Sequence, residues 1–93
     1  MSLQTGRWRK KPVVIDAVRF TGFDGGNGDE LARWIHEQGV EVEVDGREMR
    51  IATLEGPHWA RPGDWIIRGI DGELYPVKDH IFRATYEPAD GQP

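Results

Sequence analysis

Glycine-containing turn signals divide the second half of the chain into short segments. They stand at Asp45-Gly46, Glu55-Gly56, Pro62-Gly63 and Asp71-Gly72. Glycine supplies the backbone conformations that tight turns need, and the intervening segments have the length of strands. Strands at this even spacing are typical of an antiparallel meander. The turns therefore predict a sheet of short strands connected in sequence.

One segment before these turns has a helical pattern. Apolar residues at three-four spacing, Trp34 among them, predict a helix over about 28–38 with one apolar face. Asn27 occupies the N-cap position, and Glu30 stands three residues later, as in a capping box. Gly39 suits the left-handed position that ends a helix in a Schellman motif.

Period-two patterns predict strands on both sides of this helix. The first strand covers residues 12–21, and a change of phase near Asp16-Ala17 indicates a bulge. Valines alternate with acidic residues over 40–45, which predicts a strand with one buried and one wet face.

The last predicted elements are a hairpin and a short helix. The hairpin covers residues 64–78, and Pro76 places its second strand at a sheet edge because proline lacks a donor. Asp79 caps a single helical turn that buries Ile81 and Phe82.

The predicted fold is a small α+β domain in the order β-α-β-β-β-β-β plus a terminal helical turn. Five to six short strands form an antiparallel meander, and the helix packs on one face.

Length and composition favour one domain in a reducing compartment. The 93 residues suit a single domain, which we divide into a basic flexible arm over 1–11, an α+β domain over 12–87 and a disordered tail over 88–93. A secreted domain this small would usually need disulfides, and the chain has no cysteine. Neither a signal peptide nor a membrane span is predicted.

Charge is distributed unevenly along the sequence. The net charge is −4, but the arm carries four of the twelve basic residues, so eight remain against sixteen acidic ones. The arm also mixes basic and aromatic side chains, as proteins that bind single-stranded nucleic acid do. An acidic remainder discourages contact with phosphates. Nucleic-acid binding is therefore an alternative function, and its residues are Arg7, Trp8, Arg9, Lys10 and Lys11.

Catalytic and metal-binding patterns are scarce. His36, His58 and His80 lack the spacing of a metal site, and no activated nucleophile is recognisable. We predict no metal, cofactor or catalytic residue. A small enzyme is a second alternative function, with His58 or His80 as acid or base and Asp64 or Glu73 as its carboxylate partner.

Two parts of the sequence carry a resemblance. One is RKKPVVIDAVRFTG at 9–22, and the other combines PGDWIIRG at 62–69, GELYPVK at 72–78, Asp79, Phe82 and TYEP at 85–88. They resemble the opening and the C-terminal signature of a family of small proteins encoded by tailed bacteriophages and prophages. The resemblance implies an accessory protein acting in the cytoplasm of the bacterial host cell. It implies no activity and no catalytic residue.

Surplus aromatic and polar residues give the candidate binding site. Trp59 is not readily buried and stands near Arg61, a combination enriched at protein interfaces. Most of the C-terminal signature is explained by turns and core, and the residues that folding needs least complete the site. The leading hypothesis is a non-enzymatic protein-interaction or self-associating module, whose partner is another protein or a second copy. It presents an edge strand and the following binding residues: Trp59, Arg68, Glu73, Tyr75, Lys78 and Asp79.

Overall fold

The strands expected from the turn signals form, and they divide between two antiparallel sheets. The computed structural model describes residues 3–9 and 11–89. Within these residues the chain order is β1 (Asp16–Arg19), α1 (Gly28–Glu37), β2 (Val42–Asp45), β3 (Glu48–Thr53), β4 (Gly56–Ala60), β5 (Trp65–Arg68), β6 (Leu74–Val77) and α2 (Asp79–Thr85). This order confirms the predicted small α+β fold.

The two sheets have the strand orders β1-β5-β6 and β2-β3-β4. Neighbours in the chain pair within β2–β4 and within β5–β6, as a meander requires. The single continuous meander is nevertheless wrong, because β1 pairs with β5. This pairing sets Val18 opposite Ile66, and both belong to the apolar core. Burial of one face of β1 therefore explains why it joins a strand so distant in the chain.

One core serves both sheets and the longer helix. The inner face of β2-β3-β4 contributes Met49 and Ile51, and the facing side of β1-β5-β6 contributes Ile66 and Leu74. The two sheets meet where β6 lies against β3 and β4. The buried apolar residues of this core are Phe20, Leu31, Ile35, Met49, Ile51, Ala60, Ile66 and Leu74.

The first strand is shorter than its sequence pattern predicts. Strand β1 pairs in an uninterrupted register that ends with Asp16 opposite Arg68, so the predicted bulge at Asp16-Ala17 is wrong. Val13 and Val14 precede the strand and are exposed. They have no strand to pair with because β5 ends at Arg68, where the chain enters the β5–β6 turn.

The start of α1 also differs from the expectation. Asn27 stands at the N-cap position, but its side chain makes no capping hydrogen bond, so the predicted capping box with Glu30 is wrong. Asn27 Oδ1 instead accepts from the Thr21 N–H at 2.8 Å, and Nδ2 donates to the Arg19 carbonyl at 2.7 Å. The Asn27 N–H donates to Thr21 Oγ1 at 2.9 Å. Asn27 therefore ties the loop between β1 and α1 to the end of β1.

The end of α1 is the predicted Schellman motif. Gly39 has a φ of 80°, in the left-handed region that favours glycine. Its N–H donates to the His36 carbonyl at 2.9 Å, and the Val40 N–H donates to the Ile35 carbonyl at 3.4 Å. These two bonds satisfy carbonyls that the end of a helix would leave unpaired.

The terminal helix is longer and less buried than predicted. Helix α2 covers seven residues, and Lys78 rather than Asp79 is its N-cap residue. Phe82 is half-buried, as expected, but Ile81 is exposed. The side of α2 that carries Asp79 and Phe82 faces the sheet, because both side chains contact Trp65. Ile81 stands two positions after Asp79, so its side chain points to another side of the helix.

The arm extends away from the domain. Residues 3–9 are all exposed, and Trp8 is 95% exposed. Lys10 and positions 90–93 of the predicted tail lie outside the described residues. The radius of gyration is 15.7 Å, whereas a compact domain of this length has about 12 Å. Among the residues of both described ranges, no helix has the length and apolar character needed to cross a membrane.

Replacing Asn27 tests its role in the loop. We expect Asn27→Ala to lower the free energy of unfolding by about 1 kcal/mol, because the Thr21 N–H and the Arg19 carbonyl lose their hydrogen bonds to the Asn27 side chain. Urea unfolding followed by tryptophan fluorescence measures this loss. Asp24→Ala is the control and should match the wild type, because Asp24 lies in the same loop and its side chain makes no hydrogen bond or ion pair with described residues. An Asn27→Ala protein as stable as the control would contradict the assignment.

Candidate binding surfaces

The six predicted binding residues do not form one site. Side chains alternate between the two faces of a strand, so the register places Tyr75 on the side of β1-β5-β6 that faces away from the core. Trp59 lies on the outward side of β2-β3-β4. The two residues belong to different sheets, and both sides face away from the shared core. Trp59 and Tyr75 therefore lie on separate surfaces.

Arg68 has a structural role that sequence reasoning did not foresee. Its guanidinium forms an ion pair with Asp16 on β1 and donates to Gln38 Oε1 at the end of α1, at 3.2 Å. It also lies 5.8 Å from the centre of the Trp34 ring. Because Arg68 connects two strands and a helix, the premise that folding makes little use of it is wrong.

Lys78 and Asp64 form a pair at one end of the β5–β6 hairpin. Lys78 Nζ lies 3.1 Å from Asp64 Oδ2, and Asp64 is only 6% exposed. The same carboxylate oxygen accepts from the Arg61 N–H at 2.9 Å. Two donors satisfy this buried carboxylate, as a buried charge requires. Lys78 therefore also contributes to the fold.

Asp79 organises the contact between α2 and the sheet. Its carboxylate accepts from Trp65 Nε1 at 2.9 Å and from Arg83 Nε at 3.0 Å, and it lies 3.8 Å from Arg19. The hydrogen bond from Trp65, followed by that from Arg83, lowers the pKa of Asp79 below its ordinary value.

An aromatic cluster holds α2 on the outward side of β1-β5-β6. The rings of Trp65 and Phe82 stack with centroids 4.0 Å apart and an interplanar angle of 10°, and Tyr86 lies 5.2 Å from Phe82. Tyr75 adjoins Tyr86, and burial, followed by their hydrogen bond, raises the pKa of Tyr75 to about 12. These rings form a second apolar cluster that fixes α2 to the sheet.

Glu73 lies at the other end of the hairpin, within the turn. Its Oε2 accepts from the Asp71 N–H at 3.0 Å, and its carbonyl accepts from the Gly69 N–H at 2.8 Å. The register sets Asp64 near one end of the β5–β6 ladder and Glu73 near the other. The two carboxylates that the enzyme hypothesis considered are thus far apart in the hairpin.

A groove runs beside the aromatic cluster. Its volume is about 940 Å³, and one wall is the exposed segment with Val13 and Val14 that precedes β1. Arg19, Arg83 and Glu87 also line it. Asp79 pairs with both arginines, so the charges around this groove are largely balanced.

The outward side of β2-β3-β4 has a different character. Strand register and alternation place nine residues there in three rows across the sheet. The edge at β2 carries only acidic side chains, and the edge at β4 carries Trp59, which is 45% exposed. We call this surface the acidic face, and its rows are Glu41-Ala52-Pro57, Glu43-Arg50-Trp59 and Asp45-Glu48-Arg61.

Charges on the acidic face do not balance. Arg50 lies 3.8 Å from Glu43, and Arg61 forms an ion pair with Glu48. Glu41 and Asp45 have neither an ion pair nor a side-chain hydrogen bond with any described residue. The face therefore carries two unpaired carboxylates at one edge and an exposed indole at the other.

The arrangement required by the enzyme hypothesis is not formed in the described part of the chain. His36, His58 and His80 are exposed, and none makes a side-chain hydrogen bond or ion pair with described residues 3–9 or 11–89. The same residues contain no group of three or more histidines and carboxylates placed to hold a metal ion. The histidines therefore supply no support for acid–base chemistry.

Comparison of the chain with family models, with curated proteins and with solved structures finds no match in any of the three.

Sequence reasoning missed the acidic face although its signal was present. The alternation over 40–45 identified Glu41, Glu43 and Asp45 as the wet side of a strand. It did not reveal that Trp59 belongs to the same face, because that depends on how β3 registers with β4.

Acid unfolding tests the assignment of Asp79. Because its folded pKa is lowered, its stabilising contribution is complete above the unfolded pKa of about 3.9 and is lost as the pH falls through the lower folded pKa. We expect Asp79→Asn to reduce stability at pH 7 and to flatten the loss of stability below about pH 4. Urea unfolding at several pH values measures both effects. An acid limb as steep in Asp79→Asn as in the control Asp24→Asn would contradict the assignment.

Proposed function

We propose that this chain is a non-enzymatic protein-interaction module that self-associates through its acidic face. The exposed position of Trp59 in the central row of that face supports the proposal most directly. Tryptophan is among the residues that contribute most binding free energy at protein interfaces. The half-exposed ring of Trp59 leaves apolar area in contact with water. Contact with a second molecule would bury that area.

The surroundings of Trp59 fit this role. Pro57 and Ala52 lie together in the adjacent row and are exposed, so the indole continues into a small apolar area. Arg50 and Glu43 complete the row of Trp59. An apolar centre bordered by polar groups is the usual anatomy of a binding surface.

The groove beside α2 supports an interaction less well than the acidic face. Its aromatic rings are already used, since Trp65 and Phe82 stack on each other and Tyr75 adjoins Tyr86. The groove also lacks an excess of either charge, so it has little basis for selecting a partner. The acidic face combines an exposed indole with unpaired carboxylates.

We also propose that the module is an accessory protein of a bacteriophage or prophage and acts in the host cytoplasm. The support is the resemblance of residues 9–22 and 62–88 to a family of such proteins. Several parts of the second segment have structural roles here, including Asp64, Trp65 and Asp79. Identifying the genes beside this one tests the proposal, and neighbours unrelated to phages would contradict it.

Self-association can be measured with one substitution and a matched control. We expect the wild type to form dimers in sedimentation equilibrium and Trp59→Thr to weaken them by about 2 kcal/mol, or roughly thirty-fold. Ile70→Thr removes an exposed apolar side chain from the β5–β6 turn of the other sheet and should leave dimerisation unchanged. Circular dichroism checks that both variants fold.

Two results would contradict the proposal. One is a wild type that stays monomeric up to millimolar concentration. The other is a dimer that Trp59→Thr and Ile70→Thr leave equally strong, because the contact surface would then lie elsewhere.

A further inference from the structure

We infer that the ligand of the acidic face is the basic arm of a second copy of this chain, so that two molecules exchange arms. The inference rests on the proposed function and deepens it by naming the segment that is bound. In this arrangement Arg7, Trp8, Arg9 and Lys11 of one molecule contact the acidic face of the other.

The arm and the acidic face carry opposite charges. Glu41 and Asp45 carry two negative charges that no described residue neutralises, and the arm carries basic residues without an acidic one among positions 1–11. Guanidinium groups bind carboxylates through two parallel hydrogen bonds, and they also stack on tryptophan rings. Both kinds of partner are present on the acidic face, with Trp59 in its central row.

The arm presents an exposed tryptophan. Residues 3–9 are exposed, and among them Trp8 is almost fully so. An exposed tryptophan between two arginines is unfavourable in water but suited to an apolar contact. The exposed Pro57 and Ala52 on the acidic face offer apolar area of the required kind.

The position of the arm favours a second molecule over the arm's own domain. The arm leaves the domain at β1, which belongs to the sheet opposite the acidic face. Residues 3–9 are all exposed and Trp8 is 95% exposed, so the Trp8 ring does not pack on its own domain. A neighbouring molecule can present its face directly to the extended arm.

Reciprocal exchange also limits the assembly to two copies. Each molecule has one arm and one acidic face, so two copies related by a twofold axis satisfy both contacts and leave none free. Exposed ion pairs are individually weak and are screened by salt, so the dimer depends on several contacts acting together. Dimerisation should therefore weaken strongly as the ionic strength rises.

Charge reversal tests the pairing of arm with face. The arm-reversed protein carries Arg7→Glu and Arg9→Glu, and the face-reversed protein carries Glu41→Lys and Asp45→Lys. We expect each change to weaken dimerisation roughly tenfold or more, because like charges then meet. Mixing the two proteins should restore a heterodimer, since the acidic arm meets a basic face and the basic arm meets an acidic face. One chain carrying all four substitutions should also dimerise.

Matched controls separate pairing from net charge. Asp24→Lys with Glu37→Lys changes the net charge as much as the face-reversed protein does, at exposed positions in the β1–α1 loop and on α1. This control should dimerise like the wild type. Raising the ionic strength from about 0.1 M to about 1 M shortens the Debye length from about 10 Å to about 3 Å and should weaken the wild-type dimer.

The possible failures are distinguishable. If Trp59→Thr weakens the dimer but arm reversal does not, the inference is overturned and the proposed function stands. If the wild type is monomeric throughout, the proposed self-association fails as well. If the reversed proteins do not dimerise when mixed, the arm does not bind the face. Binding of the wild-type arm to a single-stranded oligonucleotide at about 0.1 M salt, together with a monomeric protein, would overturn the inference in favour of a nucleic-acid ligand.

Discussion

Burial of both sheets against a single core determines which surfaces this small chain can offer. Met49 and Ile51 from one sheet and Ile66 and Leu74 from the other pack together with α1. Each sheet therefore has one side in the core and one side facing outward. Helix α2 and its aromatic cluster cover the outward side of β1-β5-β6, whereas no described element covers the outward side of β2-β3-β4. The acidic face is the consequence of this asymmetry.

Polar residues perform two distinct tasks in this architecture. Asp64, Asp79 and Arg68 join elements. Each is bonded to groups from other parts of the chain, and Asp79 links α2 to Trp65 on β5 by a hydrogen bond. Glu41 and Asp45 join nothing among the residues described. A polar residue in the C-terminal signature is thus not evidence of binding by itself, because its folding role is visible only when its contacts are known.

Short-range residue spacing predicted the local structure well, but it did not predict the pairing between segments distant in the chain. The helix with its Gly39 end, the hairpin with Pro76 on an edge strand, and the α+β class all follow from short-range spacing. The pairing of β1 with β5 does not, because four-residue strands carry too little pattern to specify a partner. The same limit applies to the site. The sequence indicated that Trp59 is not readily buried, but only the register of β3 with β4 reveals its acidic neighbours.

The four tryptophans report on different surfaces, which allows one direct test of the central claim. Trp59 lies on the acidic face, Trp8 in the arm, Trp65 in the aromatic cluster and Trp34 beside Arg68. Their indole N–H signals can be followed by two-dimensional NMR as the protein is diluted or salt is added. The account predicts that the Trp59 and Trp8 signals move together while those of Trp65 and Trp34 stay in place. Movement of the Trp65 signal with a stationary Trp59 signal would contradict it.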